Sequence, residues 1–273
     1  MSKELSELEI NEVKERAREK LGTCRKINDI IGTQVFSILG QYARVIYYPF
    51  GEDAPWGFTR LSGTQNDAGL ERPFVAINTS IPTASQVFAA AHELYHIWYE
   101  QAPDFIPPNL LEEEEKEVNE KKANRFAAEF LIDELLLRQE IDTHHIRHIT
   151  VKDVLLLSDI FTVPYHAMVK RLHEIRLIGA TERKTLLAET DASILRFRRL
   201  YAFSLGLADK RIAVDNLAEL SVKAYDAGLV TYEKLESLLR ICDLTPEDVG
   251  IAPPTENEYP SDEELDRIME EDG

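Results

Sequence analysis

The chain has 273 residues, enough for one or two domains around a sizeable core. Its net charge of −18 disfavours a duplex-binding surface, because phosphate contact needs clustered cations, and points to a protein partner instead. No run approaches the roughly 18 apolar residues of a membrane span and the N-terminus is acidic rather than signal-like, so no membrane contact and a cytoplasmic location are expected.

Leu5, Leu8, Ile10, Val13 and Ala17 recur loosely at helical spacing and predict an amphipathic helix over 4–20. Ile30, Ile31, Val35, Phe36 and Leu39 predict a second over 27–42. Three β-branched or aromatic stretches with turn signals between them follow, at Ala43–Tyr48, around 56–61, and at Pro73–Thr79, and predict a small sheet. Residues 85–98 are apolar nearly all round, the composition of a buried core helix. Beyond a Pro-rich loop at 101–109, helical spacing returns over 111–132, opening on an acidic run.

From Thr150, two short helices at 151–160 and 163–177 flank the tight turn Phe161-Thr162-Val163-Pro164, a helix-turn-helix-like pattern. Its cations Arg147, Lys152, Lys170, Arg171 and Arg176 are nearly balanced by acids, so packing or protein recognition is preferred to DNA binding. Residues 192–249 read as helical, with breaks at Gly206, Gly228 and Thr245-Pro246. About half of the net charge sits in 254–273, where acids greatly outnumber the single Arg267, and a disordered tail is expected there, with a short helix at 261–269 available to a partner. The fold class is α+β and mostly helical. Its expected divisions are a domain over 1–135, a helix-turn-helix-like segment over 136–180, a helical region over 181–253, and the tail.

The chemistry lies in His92-Glu93-Leu94-Tyr95-His96. Histidines four apart on a helix lie on one side about one turn apart, the separation that a single Zn²⁺ needs for two nitrogen ligands, and the glutamate between them can act as a base toward a water on the metal. A histidine bonded to a carbonyl would explain either residue alone, but two imidazoles and a carboxylate on one buried helix are hard to satisfy without a cation. A catalytic zinc takes a third protein ligand. At about 100° per residue, Glu120 lies roughly 50° from the centre of the stripe Ala123, Phe126, Ala127, Phe130 and Leu131, closer than Glu113, Glu115, Glu117 or Glu129. Glu120 is thus the inward carboxylate, and the alternative for it is a half-buried glutamate paired with Lys116 or Lys121. A second cluster, His144, His145 and His148, lacks an intervening glutamate and reads as exposed. Cys24 and Cys242 are isolated, which implies neither a disulfide framework nor a cysteine zinc site.

The motif His92-Glu93-x-x-His96, preceded by Phe74-Val75-Ala76-Ile77-Asn78 and followed by Glu120-x-x-Ala123-Asn124-x-Phe126-Ala127-Ala128-Glu129, resembles the ImmA/IrrE family of zinc metallopeptidases over roughly residues 25–180. The resemblance implies a zincin-like domain, Zn²⁺ on His92, His96 and Glu120, and Glu93 as the base. This chain departs from the family at Tyr95, where Gly is frequent, and at Ile132-Asp133, where a Met-Pro pair is frequent. Relatives with an N-terminal helix-turn-helix also exist, and none is expected before the catalytic segment here.

The expected activity is a zinc endopeptidase of narrow specificity. By the resemblance, its substrate is a DNA-binding repressor or antitoxin encoded nearby, cut to switch on genes of a mobile element or stress response. The alternative is a regulator or toxin–antitoxin component that keeps the zinc fold and binds a transcription factor without cutting it. In zincins the strand nearest the cleft adds an extended peptide, which makes Phe74, Ala76 and Asn78 the candidate substrate-binding positions, with a plain core strand as the alternative. Tyr95, Tyr165 and His166 are open candidates for an oxyanion donor.

Overall fold

The structure, a computed structural model, describes residues 4–60, 72–100 and 113–253, the side chains of 113–116 excepted. The Pro-rich loop, Glu112 and the acidic tail lie outside the described residues, and Glu113–Lys116 are described by backbone alone. Met1–Ile212 and Ala213–Gly273 form two compact units. The boundaries expected at 135 and 180 fall inside the first.

The first unit opens with α1 (Glu7–Thr23), started by a capping box in which the Ser6 hydroxyl accepts from Glu9 N and the Glu9 carboxylate accepts from Ser6 N. It buries Val13, Ala17 and Leu21. The second helix, α2 (Gln34–Tyr42), is shorter than the 27–42 stretch expected to be helical. Asn28 and Gly32 adopt left-handed φ angles of 60° and 47°, which break the helical path before it can start.

Three strands follow, β1 (Arg44–Tyr48), β2 (Gly57–Arg60) and β3 (Phe74–Asn78), in the order β2-β3-β1. β3 runs parallel to β1 and antiparallel to β2. Both of its edges are therefore hydrogen-bonded, so β3 cannot add a peptide strand, and Phe74, Ala76 and Asn78 do not bind substrate in the expected way. Ala76 is buried, while Asn78 ties the 50–55 loop, donating to Gly51 O and accepting from Phe50 N. Among the described residues, β2 lies at one edge of the sheet.

The motif helix α3 (Thr83–Tyr99) packs its Val87, Ala90, Ala91 and Leu94 into the core between this sheet and α4 (Glu113–Leu131). Phe126 and Phe130 of α4 stack on each other against Trp98 and are fully buried, so truncating either to alanine would cost about 3–5 kcal/mol. Asp133 caps α5 (Glu134–Thr143) by accepting from Leu135 N and Leu136 N.

Next come α6 (Val151–Phe161) and α7 (Tyr165–Glu174), separated by Thr162 in a left-handed conformation. Their Leu155, Phe161, Met168 and Leu172 join the same core as the motif helix. Arg171, counted above among the cations of this segment, points inward and pairs with Glu129 of α4. Two further helices, α8 (Ala180–Leu187) and α9 (Asp191–Leu200), precede a non-helical stretch to residue 212, longer than the single break expected at Gly206. Backbone and side-chain bonds from Thr79 and Gln86 to residues 209–211 hold that stretch out of helix. The second unit contains α10 (Leu217–Asp226) and α11 (Tyr232–Arg240), separated at Gly228, whose φ is 68°. Among the described residues, no helix is long and apolar enough to cross a membrane.

Candidate metal centre

Helical spacing alone delivers His92 and His96 to one side of α3, and tertiary packing brings α4 alongside with Glu120 facing them. Nε2 of His92 lies 3.0 Å from Nε2 of His96, and the Glu120 carboxylate sits 3.1 Å from the first and 3.7 Å from the second. These are the only three His, Cys, Asp or Glu residues among the described ones whose ligand atoms converge, all within 4.8 Å of one another.

The outer nitrogens decide the tautomers. Nδ1 of His96 lies 2.9 Å from the Glu100 carboxylate, and Nδ1 of His92 lies 3.2 Å from Asn124 Oδ1. Both partners are acceptors, so each Nδ1 carries the proton and each Nε2 presents a lone pair. Two lone pairs and a carboxylate then face one another, an arrangement that repels itself until a cation enters. Tetrahedral Zn²⁺ with bonds of 2.0–2.1 Å separates its nitrogen ligands by about 3.3 Å, close to the distances observed, so the donor set fits the ion.

Glu93 lines the same cavity as His92 and Glu120. It is only 4% exposed, and its carboxylate accepts from Thr59 Oγ1 on β2 at 2.7 Å. Burial pushes its carboxyl above the usual range, against the opposing hydrogen bond from Thr59. That direction suits a proton acceptor working near neutrality. Gly57 makes room for it, since a Cβ there would lie 3.0 Å from Glu93 Oε1 and 3.3 Å from Ala76 O. When His92 is charged, its hydrogen bond to Glu120 holds that carboxyl below its ordinary value. Burial opposes protonation of His96, but Glu100 outweighs it and raises the imidazole.

A cavity of about 260 Å³ opens onto these groups, lined by Trp56, Gly57, Phe88, His92, Glu93, Glu120 and Asn124. A larger one of about 360 Å³ borders α1 and the start of α5, but Lys14 with Glu134 and Arg171 with Glu129 pair across its lining, and no donor set converges there.

None of the open oxyanion candidates reaches the cleft. The Tyr95 hydroxyl is taken by Arg16 Nη1 at 3.2 Å, with its ring packed on Phe126 and Tyr99. His166 bonds Glu189 O at 3.3 Å, and Tyr165 is buried beside it. His144, His145 and His148 are exposed, and both cysteines are free. Four participants escaped the sequence reading. Asn124 and Glu100 were traceable in principle, each one helical turn beyond a ligand position. Thr59 and Gly57 had no local signal, because only sheet order places β2 against Glu93.

No curated protein and no solved structure matches the chain. Residues 43–173 match the Peptidase_M78 family, described as an IrrE N-terminal-like domain. That span holds all three converging residues and Glu93, and the match identifies residues 43–173 as an IrrE-like peptidase domain.

Proposed function

We propose that this protein is a zinc-dependent endopeptidase of narrow specificity, acting in the cytoplasm on a DNA-binding repressor or antitoxin encoded nearby. The observation that carries the reading is the convergence of two Nε2 lone pairs and the Glu120 carboxylate beside a buried glutamate. The class of substrate rests on the family alone.

His92, His96 and Glu120 would hold the ion, with Glu100 and Asn124 fixing the two imidazoles from behind. A Zn²⁺ bound there supplies Lewis-acid polarisation of a carbonyl and brings the pKa of a water down to around 7. Glu93 takes the proton of the attacking water on the carboxylate oxygen not engaged by Thr59, then delivers it to the departing amide nitrogen. Burial of Glu93 and the walls formed by Phe88 and Trp56 limit competing water around that proton. An extended substrate segment would lie along the outer edge of β2, the strand that carries Gly57 and Thr59, because no strand among the described residues pairs with that edge.

Mass spectrometry of the neighbouring gene product, before and after mixing with zinc-loaded protein, tests the reading. New termini are expected with the parent, and at least about a hundredfold fewer with Glu93→Gln at unchanged zinc content. An intact stoichiometric complex with the parent would replace the peptidase by a binding module.

A further inference from the structure

β2 alternates its side chains between two faces of the sheet. Gly57 and Thr59 both meet Glu93, so they face the motif helix. Phe58, between them, projects from the opposite face and is 49% exposed, although its partner across the ladder, Ala76, is buried. Phe50 lies beside it with ring centroids 6.0 Å apart, and Tyr48 lies 5.1 Å beyond Phe50, both exposed as well. Three adjoining aromatic rings left in solvent cost hydration free energy that a monomer has no evident reason to bear, and aromatic residues in such positions anchor partners.

The occupant follows from where the cluster sits. Its leading ring belongs to the same edge strand whose other face holds the proposed base. A peptide that pairs with the edge of β2 that no strand among the described residues occupies must alternate its own side chains in the same way. The residue directly opposite Phe58 shares the outer face, with Cβ atoms about 4.5–5.5 Å apart, while its two neighbours point toward the metal side.

We propose that Phe58, backed by Phe50 and Tyr48, is the specificity-determining surface of this protein, selecting a peptide with a large apolar side chain on the outer face next to the bond presented to Glu93. The proposal rests on reading the cleft as a peptide site. It names the feature that sets narrow specificity: a polar or small residue opposite Phe58 leaves the three rings wet.

The test uses zinc-loaded, full-length Glu93→Gln protein and two pools of fluorescein-labelled peptides. The pools are identical except that one position carries Leu, Ile or Phe in the first and Ala or Ser in the second. Fluorescence anisotropy is expected to show about tenfold tighter binding of the apolar pool, equivalent to about 1.4 kcal/mol. Phe58→Ala should reduce that preference to about twofold or less, Phe58→Leu should keep most of it, and Tyr48→Ala should lower it partially. Circular dichroism and zinc content of each variant report on folding. Equal binding of both pools, no binding of either, or a preference that survives Phe58→Ala in a folded variant overturns the proposal. Incubating the parent with the tightest peptides separates the two readings. Peptides bound through Phe58 but left intact defeat the peptidase alone, and peptides cut without regard to Phe58 defeat the specificity surface alone.

Discussion

Glu100→Ala removes the acceptor of the His96 Nδ1 proton while leaving untouched both lone pairs that face the metal position, and Asn124→Ala does the same for His92. Outer partners of this kind are worth about 10- to 100-fold in metal affinity, because they hold the ring in register and raise the basicity of the ligating nitrogen. The geometry ranks the two. Glu100 is a carboxylate 2.9 Å from its nitrogen and only partly exposed, so its bond is charge-assisted and modestly screened. Asn124 is a neutral amide at 3.2 Å on an exposed position. Glu100→Ala should therefore approach the hundredfold end, about 2.7 kcal/mol, and Asn124→Ala the tenfold end, about 1.4 kcal/mol. Competition against a chromophoric zinc chelator measures both directly. Thermal unfolding gives an independent reading: free zinc at about 100 times the parental Kd stabilises the parent by about 2.7 kcal/mol, and at that same zinc a hundredfold weaker variant retains about 0.4 kcal/mol. Affinities within twofold of the parent for both variants, or a larger loss for Asn124 than for Glu100, would show that these contacts do not orient the ligands.

Gly57→Ala should retain zinc and lose at least about tenfold in cleavage rate, because the added Cβ meets the base at 3.0 Å and the β3 carbonyl of Ala76 at 3.3 Å, so the base must shift; parental cleavage by a zinc-replete variant would contradict this. Arg171→Met should destabilise the fold by about 3 kcal/mol in urea titrations, the lower end for a broken buried pair, since Glu129 keeps Arg125 as a second partner; a loss under about 1 kcal/mol would mean that the pair contributes little. Burial alone would raise the Glu129 carboxyl, but Arg171 and then Arg125 outweigh it and hold it below its ordinary value. Its contribution is then complete above the unfolded carboxylate pKa of about 4.3 and disappears as pH falls through the lower folded value. Glu129→Gln should accordingly show a shallower loss of urea midpoint between about pH 5 and 3 than the parent, and parallel acid limbs would refute the assignment.

The linear chain by itself determined whatever depends on local periodicity. His92 and His96 share a face because a helix repeats every 3.6 residues, the apolar flanks of Ala89, Ala90 and Leu94 bury that helix, and Glu120 sits at the border of the stripe of Phe126 and Phe130, facing the histidines while half exposed. Only the tertiary structure decided which strand borders the cleft, since strand order is a matter of long-range pairing that composition does not encode. The most apolar strand, β3, takes the centre of the sheet because both of its faces and edges can be covered there, and β2, with Gly57, Phe58 and Thr59, is left at the edge beside Glu93. The same holds for Tyr95 and Arg171. Tyr95 is an oxyanion candidate and Arg171 one of a balanced set of cations in the linear chain, and each is consumed by a partner from a distant helix, Arg16 in one case and Glu129 in the other, because burying a hydroxyl or a guanidinium requires one.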